Sequence, residues 1–310
     1  MEKMDKPNRR TFFSKHSDTL WGYFFILPAV LGLLLFYFGP MLFSFFISFN
    51  SWDVVRPPEW ILFDNYTRVF SDELTMKSLG VTLYYTLLAV PATTVVALLT
   101  AVLLNTKIKA LSVFRTALYI PSIVPMVANV ALWMFLYNPA FGLLNYVLGL
   151  FGIPPQNWVF AKESVVPSLA LMAVWGAGNT IVIYLAGLQG ISHELYESVD
   201  IDGGNVFHKF FNVTLPMLSP VIFYNVVMGI IGSMQVFTQP YIMTQGGPDN
   251  ASMFIVLLLY RTAFRNQEMG YASAMSWVLF VLIGIMTLIA FKTSNTWVFI
   301  EGEDKNGKRK

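Results

Sequence analysis

The sequence predicts an all-α, polytopic membrane protein with six transmembrane helices. Three observations carry this expectation: sparse charge, six long apolar runs, and an uneven distribution of basic residues between the runs. Only 12% of the residues are charged and 55% are hydrophobic, against about 25% charge in an ordinary soluble domain. Asp, Glu, Lys and Arg are absent from residues 20–49, 78–106, 116–137, 164–192, 210–248 and 269–291. A helix needs roughly 20 apolar residues to cross the hydrocarbon of a bilayer, and each run is long enough. Six in succession argue against buried core helices. The runs are continuously apolar and do not alternate as barrel strands do over about 10 residues, so the crossings are helical.

The first helix spans about residues 20–48. A basic start (Lys3, Lys6, Arg9, Arg10, Lys15) resembles a signal peptide. The apolar run outlasts the roughly 7–15 residues of a signal core, however, so an uncleaved membrane helix is expected. A loop with Pro57-Pro58 leads to the second helix, residues 79–105, and a short basic loop leads to the third, residues 114–137, which holds Pro121 and Pro125. Prolines free carbonyls and kink helices, and a bundle around a cavity tolerates this. After the segment 138–163, with Pro139 and Pro154-Pro155, comes the fourth helix, residues 165–189. A long polar segment, 190–216, precedes the fifth, residues 217–240. The turn Gln245-Gly246-Gly247-Pro248 breaks the chain. An amphipathic stretch near 252–264 is expected to lie at the membrane surface, and the sixth helix spans residues 270–291. Trp21, Tyr23, Trp52, Trp60, Trp133, Tyr137 and Trp297 fall near predicted helix ends and fit interfacial belts. The domains are thus a tail 1–19, a membrane domain 20–291 and a tail 292–310.

With the N-terminus in the cytoplasm, the inside segments hold Lys3, Lys6, Arg9, Arg10, Lys15, Lys107, Lys109, Arg115, Lys209, Lys292, Lys305, Lys308, Arg309 and Lys310. The outside segments hold only Arg56, Arg68, Lys77, Lys162, Arg261 and Arg265. The positive-inside rule then places both termini in the cytoplasm. A net charge of +2 gives nucleic-acid binding no electrostatic support. The chain has no cysteine, hence no disulfide framework or thiolate metal site.

The segment 190–216 is the informative one. Ser192 can cap a helix whose first turn holds Glu194, where the dipole favours a carboxylate. Leu195 and Val199 share a face, and Gly203-Gly204 ends the helix. Four acids, Glu194, Glu197, Asp200 and Asp202, make it acidic. A capped helix presenting carboxylates and an apolar strip to the cytoplasm suits docking to another protein better than a solvated linker.

This segment resembles the cytoplasmic "EAA" loop of permease subunits in binding-protein-dependent ABC importers of the sugar type. That loop reads Glu-Ala-Ala, then a glycine, then Leu-Pro. Here it is Glu197-Ser198-Val199, Gly203 and Leu215-Pro216, with Ser198 and Val199 departing from the two alanines. Asn65-Tyr66, Pro121 with Pro125 and Trp133, Gly142-Leu143-Leu144-Asn145, Gly246-Gly247-Pro248 and Met269-Gly270-Tyr271-Ala272-Ser273-Ala274 also resemble family patterns in the same order.

The resemblance implies a type I ABC importer permease fold in the bacterial cytoplasmic (inner) membrane. It implies a second homologous permease subunit forming a heterodimer, two ATPase subunits holding ATP and Mg, and an extracytoplasmic solute-binding protein. The loop would be the coupling helix, with Glu194, Glu197, Ser198, Asp200, Asp202 and Gly203 at the ATPase. The chain has no Gly-x-x-x-x-Gly-Lys-Ser/Thr loop, so no cofactor, metal or catalytic residue is expected on it and it is not expected to be an enzyme. By position, the family's solute path falls near Ser122 and Met126, Ala177 and Thr180, and Gly229 and Ser233, with Asn129, Asn179 and Gln235 adding polar groups. The solute would be a carbohydrate, an oligosaccharide by the resemblance. Alternatives remain: a permease for a solute such as glycerol phosphate, or an ion-driven secondary transporter, although that needs carboxylates at the midplane which the runs lack. A membrane-embedded enzyme finds no His/Asp/Glu constellation, since His16, His193 and His208 all fall in polar segments.

Overall fold

The computed structural model describes residues 12–106 and 111–299, with side chains from residue 21. The basic residues up to Arg10, Lys107, Lys109 and the C-terminal basic cluster lie outside the described residues. Twelve helices organise the rest. They are α1 (Trp21–Ile47, the apolar part of a helix that begins at Phe12), α2 (Asp64–Ser71), α3 (Glu73–Leu104), α4 (Leu111–Ile123), α5 (Met126–Leu136) and α6 (Leu143–Leu150). They continue with α7 (Val165–Trp175), α8 (Gly178–Gln189), α9 (His193–Ile201), α10 (Val206–Met234), α11 (Ile255–Tyr260) and α12 (Met269–Trp297). A two-residue ladder, β1 (Asn50–Ser51) with β2 (Glu59–Trp60), closes the loop after α1. No strand was expected there from the residue pattern.

Four helices, α1, α3, α10 and α12, are long and apolar enough to cross a membrane alone. Two bent pairs complete a set of up to six crossings if each pair is one crossing: α4–α5, bent by 103°, and α7–α8, bent by 47°. The predicted single helix 114–137 is therefore broken. Pro125 is the N-cap of α5 with extended ψ, and a residue before proline avoids the helical region, so the chain turns at Val124-Pro125. In α7–α8 the break falls at Gly176-Ala177.

Prolines act more gently elsewhere. Pro216 cannot donate to the ladder, and the helix meets it with a π turn at Phe210–Thr214. Leu215 then donates to the Phe210 carbonyl. Pro40 follows a second π turn, Leu34–Phe38, in the same way. Because this register shift keeps the helix continuous, α10 starts at Val206, not at the predicted 217. It also ends at Met234, short of the predicted 240. Asp72 caps α3 by accepting from the Thr75 amide at 2.9 Å, so that helix begins six residues before the predicted 79.

Two apolar clusters divide the molecule lengthwise. One joins Ala97, Leu98, Ala101 and Leu104 of α3 to Ile181, Tyr184, Leu185 and Leu188 of α8 and to Val213, Leu218 and Ile222 of α10. It lies at the α9 end. The other holds Tyr85, Trp133, Tyr137, Leu169, Met234, Phe254, Leu257 and Met275 at the opposite, β-ladder end. The segment 252–264, expected at the surface, is part of this second core. Phe254, Ile255 and Leu257 are buried there because α11 runs between α3 and α12. Trp133 and Tyr137, expected in an interfacial belt, are also core residues: Tyr137 donates to the Ser168 carbonyl at 2.7 Å and Trp133 meets Trp175 edge-on. In α1 only 6% of the most apolar stretch is buried.

Candidate functional site: the α9 hairpin and the central cavity

The hairpin at α9 is built by local chemistry. Ser192 accepts from the Glu194 amide at 3.3 Å. At the other end, Gly203 has φ +76° and donates to the Asp200 carbonyl, while Gly204 donates to the Val199 carbonyl at 2.8 Å. These two bonds make a Schellman ending, in which only glycine takes the left-handed position without cost. A Cβ at Gly204 would stand 2.9 Å from the Val199 carbonyl oxygen, so the second glycine permits close approach. Asn205 then caps α10: its side chain accepts from the His208 amide at 3.0 Å, and its own amide donates to His208 Nδ1 at 3.2 Å. Lys209 pairs with Asp200 at 2.6 Å and ties the two arms.

Glu194, Glu197, Ser198, Asp200, Asp202 and Gly203 are all exposed. The Ser198 hydroxyl donates back to the Leu195 carbonyl at 2.8 Å, and Asp200 faces Lys209. Glu194, Glu197 and Asp202 have no side-chain partner among the described residues. The apolar strip differs from the expected one. Val199 and Tyr196 pack inward on the α8 cluster, with Tyr196 bonded to Thr214 at 3.1 Å. Leu195 stays outward at 39% exposure, and the more exposed apolar residues are Ile201 (85%), Val206 (78%) and Phe207 (73%). Val206 and Phe207 open the short apolar stretch that the sequence shows from Val206 to Phe211. Their signal was an apolar pair after a double glycine and the capping Asn205.

Between the two clusters lies a cavity of about 330 Å³, within the roughly 300–1,000 Å³ range of small-molecule sites. Its walls come from α3 (Tyr85, Ala89, Val90, Thr93, Thr94), from the α7–α8 break (Ala173, Gly176, Ala177, Thr180), from α10 (Asn225, Met228, Gly229, Gly232, Ser233) and from Val236 just past its end. No charged residue lines it. Hydroxyls and one amide supply its polarity. Gly229 allows α10 to approach α3, since a Cβ there would stand 3.3 Å from Val90.

Of the residues placed on a solute path, Thr180, Ser233, Ala177 and Gly229 line this cavity. The Ser233 hydroxyl donates to Thr86 Oγ1 at 3.0 Å. Ser122, Asn129, Asn179 and Gln235 lie off it. Ser122 sits where α4 crosses α8: a Cβ on Gly178 would come within 2.8 Å of its hydroxyl oxygen. Asn129 is buried on α5, and its Oδ1 accepts no bond among the described residues. Asn179 and Gln235 are exposed, the latter as C-cap of α10. Thr93, Thr94 and Asn225 were missed; their signal was a polar pair and a lone amide inside apolar spans, a pattern that packing between helices also produces.

At the β-ladder end, buried and charged bonds lock the segments. Asn65 donates to the Ser48 and Asn50 carbonyls, both at 2.9 Å. Arg68 forms a two-pronged pair with Glu268 at 2.9 and 3.1 Å and lies 4.0 Å above the Tyr271 ring. Its guanidinium is held further in its charged form by Glu268. Lys162 bonds Asp249 at 2.5 Å and keeps that carboxyl below its ordinary range.

Comparison with known proteins places this architecture. The chain is 40% identical over 297 residues to the probable ABC transporter permease protein YesP of Bacillus subtilis, covering 94% of this chain and 96% of that one. It is 33% identical over 288 residues to the trehalose/maltose transport system permease protein MalF of Thermococcus litoralis (92% and 97% covered). It is 34% identical over 295 residues to the arabinooligosaccharides transport system permease protein AraP of Bacillus subtilis (93% and 92% covered). Among solved structures, a chain of a bacterial ABC transporter involved in the import of the acidic polysaccharide alginate superposes with a TM-score of 0.80 at 22% identity. That match covers 91% of this chain and 97% of that one, and the fold is thus shared. The model of the binding-protein-dependent transport system inner membrane component matches residues 77–298, which run from the start of α3 through α12 and include both the α9 hairpin and the cavity; the chain belongs to that family.

Proposed function

We propose that this chain is one of two homologous permease subunits, assembled as a heterodimer, of an ATP-driven importer for a neutral carbohydrate, an oligosaccharide. Its relatives in Thermococcus litoralis and Bacillus subtilis carry trehalose/maltose and arabinooligosaccharides in their names. The chain crosses the bacterial cytoplasmic membrane six times, α4–α5 and α7–α8 each counting once, with both termini and the α9 hairpin in the cytoplasm. Two ATPase subunits, which hold ATP and Mg, receive the hairpin. Glu194, Glu197 and Asp202 supply charge there, while Ile201, Val206 and Phe207 supply an apolar knob. An extracytoplasmic solute-binding protein delivers the sugar at the β-ladder end. Closure of the ATPases moves the hairpins and switches the halves between two facings, a rigid-body transition biased by ligand.

The observation that supports coupling is the hairpin: three large apolar side chains at 73–85% exposure on a helix ending that stands outside the apolar clusters. Exposed apolar groups beside polar ones mark interaction sites. The cavity supports a neutral cargo. Thr93, Thr94, Thr180 and Asn225 offer hydrogen bonds and no charge, whereas an anion such as glycerol phosphate would need a cation at that depth. The test is uptake of radiolabelled malto- and arabino-oligosaccharides by vesicles containing the whole importer. Accumulation requires ATP on the hairpin side and the binding protein on the other. Accumulation driven by an ion gradient alone refutes the reading.

A further inference from the structure

The cavity wall at Tyr85 is backed by a buried aromatic ring, and one residue fastens the segment that carries it. Tyr85 lines the cavity from α3 and meets the ring of Phe254 edge-on at 5.1 Å. Phe254 is fully buried and is the N-cap of α11, but its own side chain caps nothing. The first amides of a helix have no partner inside it, and at membrane depth an unpartnered amide is costly. The Ile255 amide finds its acceptor on another helix: Thr82 Oγ1, 3.0 Å away, with both residues buried. The Thr82 hydroxyl hydrogen goes to the Ser78 carbonyl at 2.8 Å, so the oxygen faces the Ile255 N–H with a lone pair. Thr82 lies less than one turn from Tyr85, on the side away from the α9 hairpin.

The same face of α3 holds the segment at its other ends. Thr86 accepts from Ser233, in the last turn of α10, at 3.0 Å, and Thr75 bonds the Tyr271 hydroxyl, in the first turn of α12, at 2.9 Å. Of the three, the Thr82 bond lies in the middle and reaches α11 itself.

We propose that Thr82 is a positioning residue that supplies the missing N-cap of α11 and thereby keeps Phe254 packed behind Tyr85, closing the cavity on its extracytoplasmic side. This rests on the orientation and permease role proposed above. The chain has no cysteine, so a Thr93→Cys reporter in the cavity wall is its only thiol. The assembled importer, in sealed vesicles of known orientation, is treated with a membrane-impermeant methanethiosulfonate reagent, and labelling of this chain is read by mass. From the extracytoplasmic side, the reporter reacts slowly with Thr82 present and slowly with Thr82→Ser, which keeps the hydroxyl. With Thr82→Val, and with the smaller Thr82→Ala that cannot overpack, it reacts at least about tenfold faster, the effect of ~1.4 kcal/mol in the closed-to-open balance. Equal rates in all four proteins overturn the proposal, as does a Ser variant as fast as Val and Ala. Vesicles of the opposite orientation separate the premises: a Thr82-dependent rate seen only from the cytoplasmic side keeps the cap and refutes the orientation.

Discussion

Gly203 and Gly270 show how much single residues constrain this chain. Gly203 occupies the left-handed region at φ +76°, which costs an ordinary residue roughly 1–2 kcal/mol. Gly203→Val should distort the Schellman ending and misdirect Ile201 and Val206. We expect ATP hydrolysis by the assembled importer to persist while sugar uptake falls at least about tenfold, the effect of ~1.4 kcal/mol in coupling. Uptake unchanged from the unmodified importer refutes the hairpin's role. At Gly270 the reason is contact, since a Cβ there would overlap the Asn50 carbonyl oxygen. Gly270→Ala should lower stability by about 1–3 kcal/mol, the usual cost of overpacking, seen as a lower Tm in detergent. Gly284 has no atom within 4 Å of such a Cβ, so Gly284→Ala should leave Tm unchanged or slightly raised. The Lys162–Asp249 pair carries a pH dependence of definite sign. Its bond holds the Asp249 carboxyl below the ordinary 3.8, so the tie is present above that value and is lost as pH falls through the lowered one. Both groups are exposed and solvent screens the pair, so Asp249→Asn should leave the Tm in detergent at neutral pH nearly unchanged.

At the scale of elements, the hairpin follows from side chains next to each other in sequence. Ser192, Gly203-Gly204 and Asn205 form caps with neighbours two to five residues away, so a reader of the sequence finds them. The long spans were legible for a similar reason, because hydrocarbon thickness fixes a length that composition displays. Three things were not legible. The 103° bend at Pro125 depends on which proline ends a helix and which is absorbed by a π turn, as at Pro216, and tertiary packing decides that. The burial of α11 depends on α3 and α12 enclosing a segment whose own pattern is amphipathic. The cavity depends on which of several small or polar residues face one another across three helices; Thr93, Thr94 and Asn225 do, while Ser122 and Asn129 do not. For α9 the prediction concerns its outward apolar residues. Ile201→Glu with Phe207→Glu leaves the membrane core untouched, since both side chains are exposed. It should reduce recovery of ATPase subunits with the tagged chain at least about tenfold, as loss of a small hot spot of ≥ ~2 kcal/mol does; undiminished recovery would show that the ATPases dock elsewhere.

On the scale of the whole molecule, the chain is divided into parts with separate tasks. The β-ladder end is tied by Asn65, the Arg68–Glu268 pair and Asp249 into one interlocked body. The α9 end presents a hairpin held by its own caps. Between them, walls without charge enclose the cavity. Helix α1 leans on this frame near its end, where Phe45 meets Trp277 at 4.8 Å and Ile47, Ser48 and Asn50 are buried; residues 21–46 are half-buried or exposed. Residues 77–298 contain no phosphate loop, and the proposed function has energy enter through separate ATPase subunits. That dependence is the central claim, and purification tests it most directly. The tagged full-length chain is extracted from its native membrane in mild detergent, and everything that co-purifies is identified and counted by mass. One homologous permease and two copies of an ATPase are expected per tagged chain, with Gly203→Val still recovering them. A chain that purifies with no ATPase and no second permease, yet accumulates sugar in vesicles by itself, would contradict that expectation.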